Sequence, residues 1–384
     1  MKILALTSIR SDYDLLSPLY ALLKADTEIE FKLIVSGAHL SKDFGYTLQD
    51  IQKDGFEILV KLETLVQGDS YTSRLKTASI FLQNSIDIVS HYNPDLLLYA
   101  GDREDVIMGS LLGTYLNIPT IHFYGGDHEL DGHQDTYIRH ATSKLSTLHF
   151  VASQTHQKRL EAMGEESQRI FNIGAISLDR LKNFQEQELQ HHFEKKIPKN
   201  FALLIYHPIA NEDPSKTFST LLELLKKENI FTFVSFPNTD PNYTQIIKHI
   251  NLYRDDDNFI FYKNLPREIF LTIFKNCSFL IGNSSAGIYE ATTFQKGVIN
   301  VGLRQKNHLI TDNTIYVSTN KKEIAQAIQT VLSKPFQNSL KKISNIFGDG
   351  KSALKAYKLI KKLNFKNYLP KFYDPLTKEK NGSK

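Results

Sequence analysis

The strongest constraint in this chain of 384 residues is a rhythm: short unbroken apolar runs alternate with longer amphipathic stretches, and midway the alternation starts again. Ile3–Leu6, Phe31–Ser36 and Leu96–Tyr99 read as strands, with helices over Leu15–Lys24, Thr47–Lys53 and Ser73–Ser90. A strand apolar at every position is covered on both faces, as in a parallel sheet whose helices form the crossovers. The pattern continues through Thr120–Tyr124, a helix at Asp135–Lys144, His149–Val151, a helix at Ser153–Met163 and Ile170–Ile173. A polar stretch rich in Gln, Glu, His and Lys follows, up to Pro198.

From Phe201 the alternation resumes, with strands FALLIYH, FTFVSF, FIFY, SFLIGNSS, GVINVG and TIYVS. Helices are expected at Ser215–Lys227, Tyr243–Leu252, Pro266–Cys277 and Lys321–Leu332, with another beginning near Gly287. The expected class is α/β: two Rossmann-like domains facing a central cleft. The length agrees, since one core seldom serves more than about 250–300 residues. The expected boundaries are residues 1–174, residues 175–345, and a C-terminal segment 346–384 with one helix, Ser352–Leu363, that returns to the first domain ahead of a Lys-rich tail.

Composition narrows the function classes. The 46 basic and 42 acidic residues are interleaved and leave a formal charge of +4, too balanced for a nucleic-acid binder and well suited to an anionic small ligand. A single cysteine, Cys277, excludes an intrachain disulfide and a cysteine-based zinc site. The N-terminal MKILALTSIR is too short an apolar run for a signal peptide and meets Arg10 and Asp12 instead of a cleavage site, and no run of about 18 apolar residues follows. A cytoplasmic protein outside the membrane is expected.

In open parallel sheets ligands gather beyond the carboxyl ends of the strands, and the unusual residues lie there. The first turn, TSIRSDYDLLSPL, lacks the glycine fingerprint of dinucleotide folds and offers Arg10 instead. Beside a helix start, Arg10 suits a diphosphate; the alternative is an ion pair with Asp12 or Asp14. Gly101-Asp102-Arg103-Glu104-Asp105 follows a buried strand, which packing does not explain. Asp102 fits a general base or a hydroxyl-binding group, while Glu104 and Asp105 also fit a helix start.

Residues 122–140, HFYGGDHELDGHQDTYIRH, hold four histidines, four carboxylates and three glycines. No familiar two-His-plus-carboxylate spacing is present, so the metal reading gives way to one in which Gly125-Gly126 allows close ligand approach. Asp127 and Asp135 are two carboxylates for one substrate, and Asp135 shares a helix face with Arg139. The alternative for Asp135 is helix capping. In the second half, His207 follows a strand, and Gly282-Asn283-Ser284-Ser285-Ala286-Gly287 opens a helix with Glu290 in its first turn, a phosphate cradle with a carboxylate for ribose hydroxyls. Gly302, Arg304 and Gln305 face the same cleft.

These pieces, in this order, resemble the hydrolysing UDP-N-acetylglucosamine 2-epimerases that feed sialic-acid and related syntheses. The matching residues are Arg10-Ser11-Asp12-Tyr13, Gly101-Asp102-Arg103, Gly125-Gly126-Asp127, Asp135 with Arg139-His140-Ala141, Phe171-Asn172-Ile173-Gly174, His207-Pro208, Gly282 to Gly287 with Glu290, and Gly302 with Arg304-Gln305. The resemblance implies a GT-B-like fold with UDP on the second domain, UDP elimination across C1 and C2, and water addition with inversion at C2. The products it implies are UDP and N-acetylmannosamine. It requires neither metal nor nicotinamide cofactor, and it implies a homodimer or homotetramer.

By motif position Asp102, Asp127, Asp135 and His207 take the catalytic places. Arg10, Arg139, Ser284, Ser285, Gly287, Glu290 and Arg304 take the substrate-binding ones. Asp127 stands where the family usually has Glu, one methylene longer. His128 and Asp131-Gly132-His133 are peculiar enough to shape the pocket for a modified sugar, and UDP-2,4-diacetamido-2,4,6-trideoxyhexose is the alternative substrate. Other readings are an epimerase that keeps UDP on its product, a GT-B glycosyltransferase, and a sugar-nucleotide sensor. The cleft carboxylates speak against the last, because a binder of diphosphate gains nothing from nearby negative charge.

Overall fold

The structure, a computed structural model, describes residues 1–129, 134–182, 184–209, 213–302, 304 and 311–376. Asp131, Gly132, His133 and Gln305 lie outside them.

The first sheet contains β1 (Lys2–Thr7), β2 (Glu30–Ser36), β3 (Ile58–Leu62), β4 (Leu96–Ala100), β5 (Thr120–Phe123), β6 (Leu148–Val151) and β7 (Ile170–Asn172), in the order β3-β2-β1-β4-β5-β6-β7. The second contains β8 (Ala202–Ile205), β9 (Thr232–Ser235), β10 (Phe259–Tyr262), β11 (Phe279–Gly282), β12 (Gly297–Val301) and β13 (Thr314–Val317), in the order β10-β9-β8-β11-β12-β13. Both sheets are parallel, and each reverses strand order once, between β1 and β4 and between β8 and β11.

Alternate residues of one strand enter different cores. Ile3 and Ala5 of β1 pack on one face with the helix Arg10–Ala25, while Leu4 and Leu6 pack on the other with Val106 and Leu112. In β8, Ala202 and Leu204 face one core and Leu203 and Ile205 the other. Every residue of β4 and β8 is buried, which is why these segments read as unbroken apolar runs.

The helix Ser352–Lys362 lies on the first sheet's side: Ala353, Ala356 and Ile360 join the core that contains Tyr13 and Leu16. Its first turn is capped from a distance by Asp179, which accepts Ser352 N–H at 3.0 Å and Ala353 N–H at 2.7 Å. Among the described residues no helix is long and apolar enough to cross a membrane.

Some expectations differ from the structure. The strand β3 was not expected: it is an edge strand, only half-buried, and Lys61 breaks its apolar run. The first helix begins at Arg10, five residues before Leu15, and the Asp12 carboxylate in its first turn reaches back to accept Ser8 N–H at 2.9 Å and the N-cap Ile9 N–H at 3.2 Å, which fixes the turn that enters it. The helix expected near Gly287 is a single turn, Ala286–Tyr289, so Glu290 follows it and is not in its first turn.

Candidate active site

The carboxyl ends of the two sheets face each other across a cleft of about 770 Å³, within the range of small-molecule sites. Loops after β1, β4, β5, β8, β9 and β11 line it, which brings both strand-order reversals to one place. Asp102, Asp127, Asp135, His207, Arg10, Arg139, Ser284, Ser285, Glu290 and Arg304 all line this cleft. Gly287 does not: a side chain there would meet Val298 at 2.9 Å and Leu280 at 3.3 Å, so this glycine lets the short helix pack on its own sheet.

Arg139 is the centre of the acidic end. Its guanidinium is buried, forms an ion pair with Asp102, and lies 3.9 Å from Asp127 and 3.7 Å from Glu129. Asp135, on the same helix Gln134–Leu145 as Arg139, pairs with Arg74 at 3.0 Å. The same arginine takes Glu104 at 2.6 Å. Burial and the charges of Asp135 and Glu129 outweigh Arg139 and push the Asp102 carboxyl up to about 6. Asp102 is also the most accessible of the three carboxylates, its side chain 21% exposed against 6% each for Asp127 and Asp135.

Gly125 and Gly126 allow close approach, but to the protein and not to a ligand. At Gly126, with φ +80°, an added Cβ would fall 2.3 Å from the His156 carbonyl oxygen, and at Gly125 one would fall 2.9 Å from Ser143 Oγ. The loop is thereby pressed onto the helix Gln154–Ala162, which sets the place of Asp127. His122, within β5, bonds Gly101 O at 2.8 Å and Ser143 Oγ at 3.0 Å, tying the loop after β4 to β5 and to the helix Gln134–Leu145. His128 and His140 stack with ring centroids 5.4 Å apart. Among the described residues no group of three or more His, Cys, Asp or Glu side chains is placed to hold a metal ion.

Elsewhere in the cleft arginines and carboxylates are interleaved. Arg10 pairs with Asp14 at 3.5 Å and still lines the cleft, so the ion-pair alternative and the cleft position hold together. Asp14 also takes Arg180 at 3.0 Å and Arg267 at 3.4 Å, and Arg180 reaches Glu290 at 2.9 Å. Asn283 holds the loop after β8: it accepts His207 N–H and donates to His207 O, both at 2.8 Å. Asn238 N–H donates to His207 Nδ1 at 3.2 Å, so the ring proton sits on Nε2. Burial and the charges of Arg304 and Arg103 push His207 down to about 3, so it is a neutral donor at physiological pH.

Sequence reasoning missed Arg74, Arg180, Asp240 and Tyr289. Asp240 is buried and draws Arg103, Arg304 and Arg74 at 3.3, 3.4 and 3.9 Å. Its one signal is that it is a charged residue in the loop after an apolar strand, β9.

The profile of the UDP-N-acetylglucosamine 2-epimerase family matches residues 21–361. The chain belongs to this family. A UDP-N,N'-diacetylbacillosamine 2-epimerase (hydrolysing) from Legionella pneumophila is 32% identical over 365 residues, 94% of this chain and 95% of the relative. A GDP/UDP-N,N'-diacetylbacillosamine 2-epimerase (hydrolysing) from Campylobacter jejuni is 32% identical over 346 residues, 88% of this chain and 89% of the relative. In fold, the chain is similar to the crystal structure of UDP-GlcNAc 2-epimerase from Neisseria meningitidis bound to UDP-GlcNAc: TM-score 0.81 at 17% identity, over 94% of this chain and all of that one. The 2-epimerase architecture is therefore GT-B-like, two parallel α/β units with the cleft between them.

Proposed function

We propose that this member of the 2-epimerase family is a hydrolysing enzyme that takes UDP-N,N'-diacetylbacillosamine, a UDP-2,4-diacetamido-2,4,6-trideoxyhexose, to UDP and the free 2-epimeric sugar. The observation that carries the reading is that one cleft brings together Asp102, Asp127 and Asp135 of the first unit with His207 and the Ser284-Ser285 loop of the second. The two relatives described as hydrolysing support release of UDP and point to the diacetamido sugar.

In this reading Asp102 takes the proton from C2, the C1–O bond to UDP breaks, and the electron pair leaves with the diphosphate as a C1–C2 double bond forms. Water then adds its oxygen to C1 and a proton returns to C2 on the opposite face. Asp127 and Asp135, held by neighbouring side chains, orient the sugar and that water. Arg10 and the His207 Nε2–H meet the charge growing on the leaving diphosphate, where preorganised donors have most effect. Ser284, Ser285 and Arg304 hold the phosphates, and Glu290 holds the ribose.

Residues 1–174 then supply acid–base chemistry, residues 175–345 hold UDP, and the segment from 346 packs on the first unit. The working form in this reading is a homodimer or homotetramer. Steady-state UDP release with UDP-N,N'-diacetylbacillosamine and UDP-N-acetylglucosamine as rival substrates tests the proposal. A higher kcat/KM for the first supports it, a higher value for the second reassigns the substrate, and release from neither refutes it.

A further inference from the structure

Asp127 is held from both sides of the cleft. On the first unit's side Oδ1 accepts His128 N–H at 2.9 Å and lies 3.4 Å from His156 Nε2. Oδ2 accepts the Tyr289 hydroxyl at 2.7 Å, and Arg139 Nη1 stands 3.9 Å away. Tyr289 belongs to the second unit: it ends the single turn Ala286–Tyr289 that follows Ser284 and Ser285. Its hydrogen bond therefore crosses between the units and starts four residues from the loop assigned to phosphate.

We propose that Tyr289 is a positioning residue, which fixes the orientation of the Asp127 carboxylate and makes that orientation depend on how the second unit is seated. The inference rests on the function proposed above. Both oxygens of Asp127 must be held for its carboxylate plane to be fixed, and the hydroxyl supplies a contact to Oδ2 at 2.7 Å, against 3.9 Å for Arg139 Nη1. The ring alone has a packing role, edge-on to Tyr124 at 5.9 Å and against Phe347 at 4.4 Å, which a phenylalanine fills equally well. The hydroxyl is what packing leaves unexplained, and a bond to a carboxylate is of the stronger, charge-assisted kind.

Burial and the Asp127 charge push the Tyr289 phenol far above its ordinary range, so it remains a donor. Its backbone is anchored as well: Asn345 Nδ2 donates to Tyr289 O at 2.7 Å. The charged and titratable groups that face the pair are Arg139, His156, His128 and His140, with Tyr124 beside the ring.

The test is Tyr289→Phe, which keeps the ring and removes the hydroxyl. Three quantities are read: kcat and KM for UDP release, the pH profile of kcat, and the carboxyl 13C titration of Asp127 in the ligand-free enzyme. We expect kcat to fall about tenfold to a hundredfold, as for a misplaced catalytic group, with KM within about threefold. The Asp127 midpoint should move to higher pH, since the charged form loses a donor, while the acid limb of kcat, set by Asp102, stays in place. An unchanged midpoint with kcat within about twofold of wild type overturns the inference. If wild type turns over neither sugar nucleotide, the proposed function fails, and the Asp127 titration alone then decides: a midpoint unmoved by Tyr289→Phe still refutes the contact's role.

Discussion

Arg103, in the loop after β4 of the first unit, reaches the buried Asp240 in the loop after β9 of the second at 3.3 Å, so an ion pair spans the cleft. Arg103 Nη2 also donates to Thr239 Oγ1 at 2.7 Å. Burial raises the Asp240 carboxyl, but Arg304 and Arg103 outweigh it and hold the group down at about 2. A depressed carboxylate contributes its stability above its unfolded value, near about 4, and loses it as pH falls towards the folded value.

Asp240→Asn therefore destabilises the protein at neutral pH by about 3 kcal/mol, the effect of leaving part-buried guanidinium groups without their buried carboxylate. Urea unfolding at pH 7 measures this, and the difference between variant and wild type should shrink as pH falls from about 4 towards 2. A penalty that does not change with pH would mean that Asp240 acts through its shape and not its charge.

Asp102 gives a second pH signature. Its carboxyl, raised to about 6, must be ionised to take a proton, so kcat/KM should rise with pH through an acid limb near that value. Asp102→Asn should reduce C2 exchange by about a thousandfold or more while UDP binding stays within about threefold. Arg139→Gln removes the opposing charge and should move the limb upward.

His207 should show no titration between pH 5 and 9, because its pKa is pushed down to about 3. Histidine 15N spectra should report the tautomer with hydrogen on Nε2 throughout that range. His207→Ala should reduce kcat by about a hundredfold or more, the usual effect of losing one preorganised donor to leaving-group charge. A limb that disappears with this substitution would instead make His207 an acid–base group.

Gly126→Ala probes the packing that places Asp127. The new Cβ would fall 2.3 Å from a backbone oxygen at a left-handed φ of +80°, so either the loop or the helix behind it must shift. A loss of about 2 kcal/mol or more in urea unfolding is expected, with activity reduced beyond what the lost stability explains. Wild-type stability would show that the loop has room the structure does not give it.

What the sequence made legible follows from where its charges stand. Strands buried on both faces, such as β4 and β8, announce themselves as apolar runs, and ionisable residues just after them, Asp102 and His207 among them, have no packing reason to be there. β3 was not legible because an edge strand needs no continuous apolar run. Arg74 lies on what reads as the solvated face of the helix Tyr71–Tyr92, Asp240 in a Pro- and Asn-rich turn, and Tyr289 in a helical turn that reads as packing. Each acquires its chemistry only from a partner distant in sequence, which periodicity does not encode. Gly125-Gly126 was legible as a close approach, but the sequence alone does not say that the approaching group is His156.

The most direct test of UDP elimination and rehydration is to incubate the enzyme with UDP-N,N'-diacetylbacillosamine in heavy water and follow released UDP and the sugar C2 position by NMR. Elimination followed by rehydration predicts that free UDP appears in step with a free 2-epimeric sugar that carries deuterium at C2. An epimerised sugar still attached to UDP, or released sugar with hydrogen retained at C2, would contradict it.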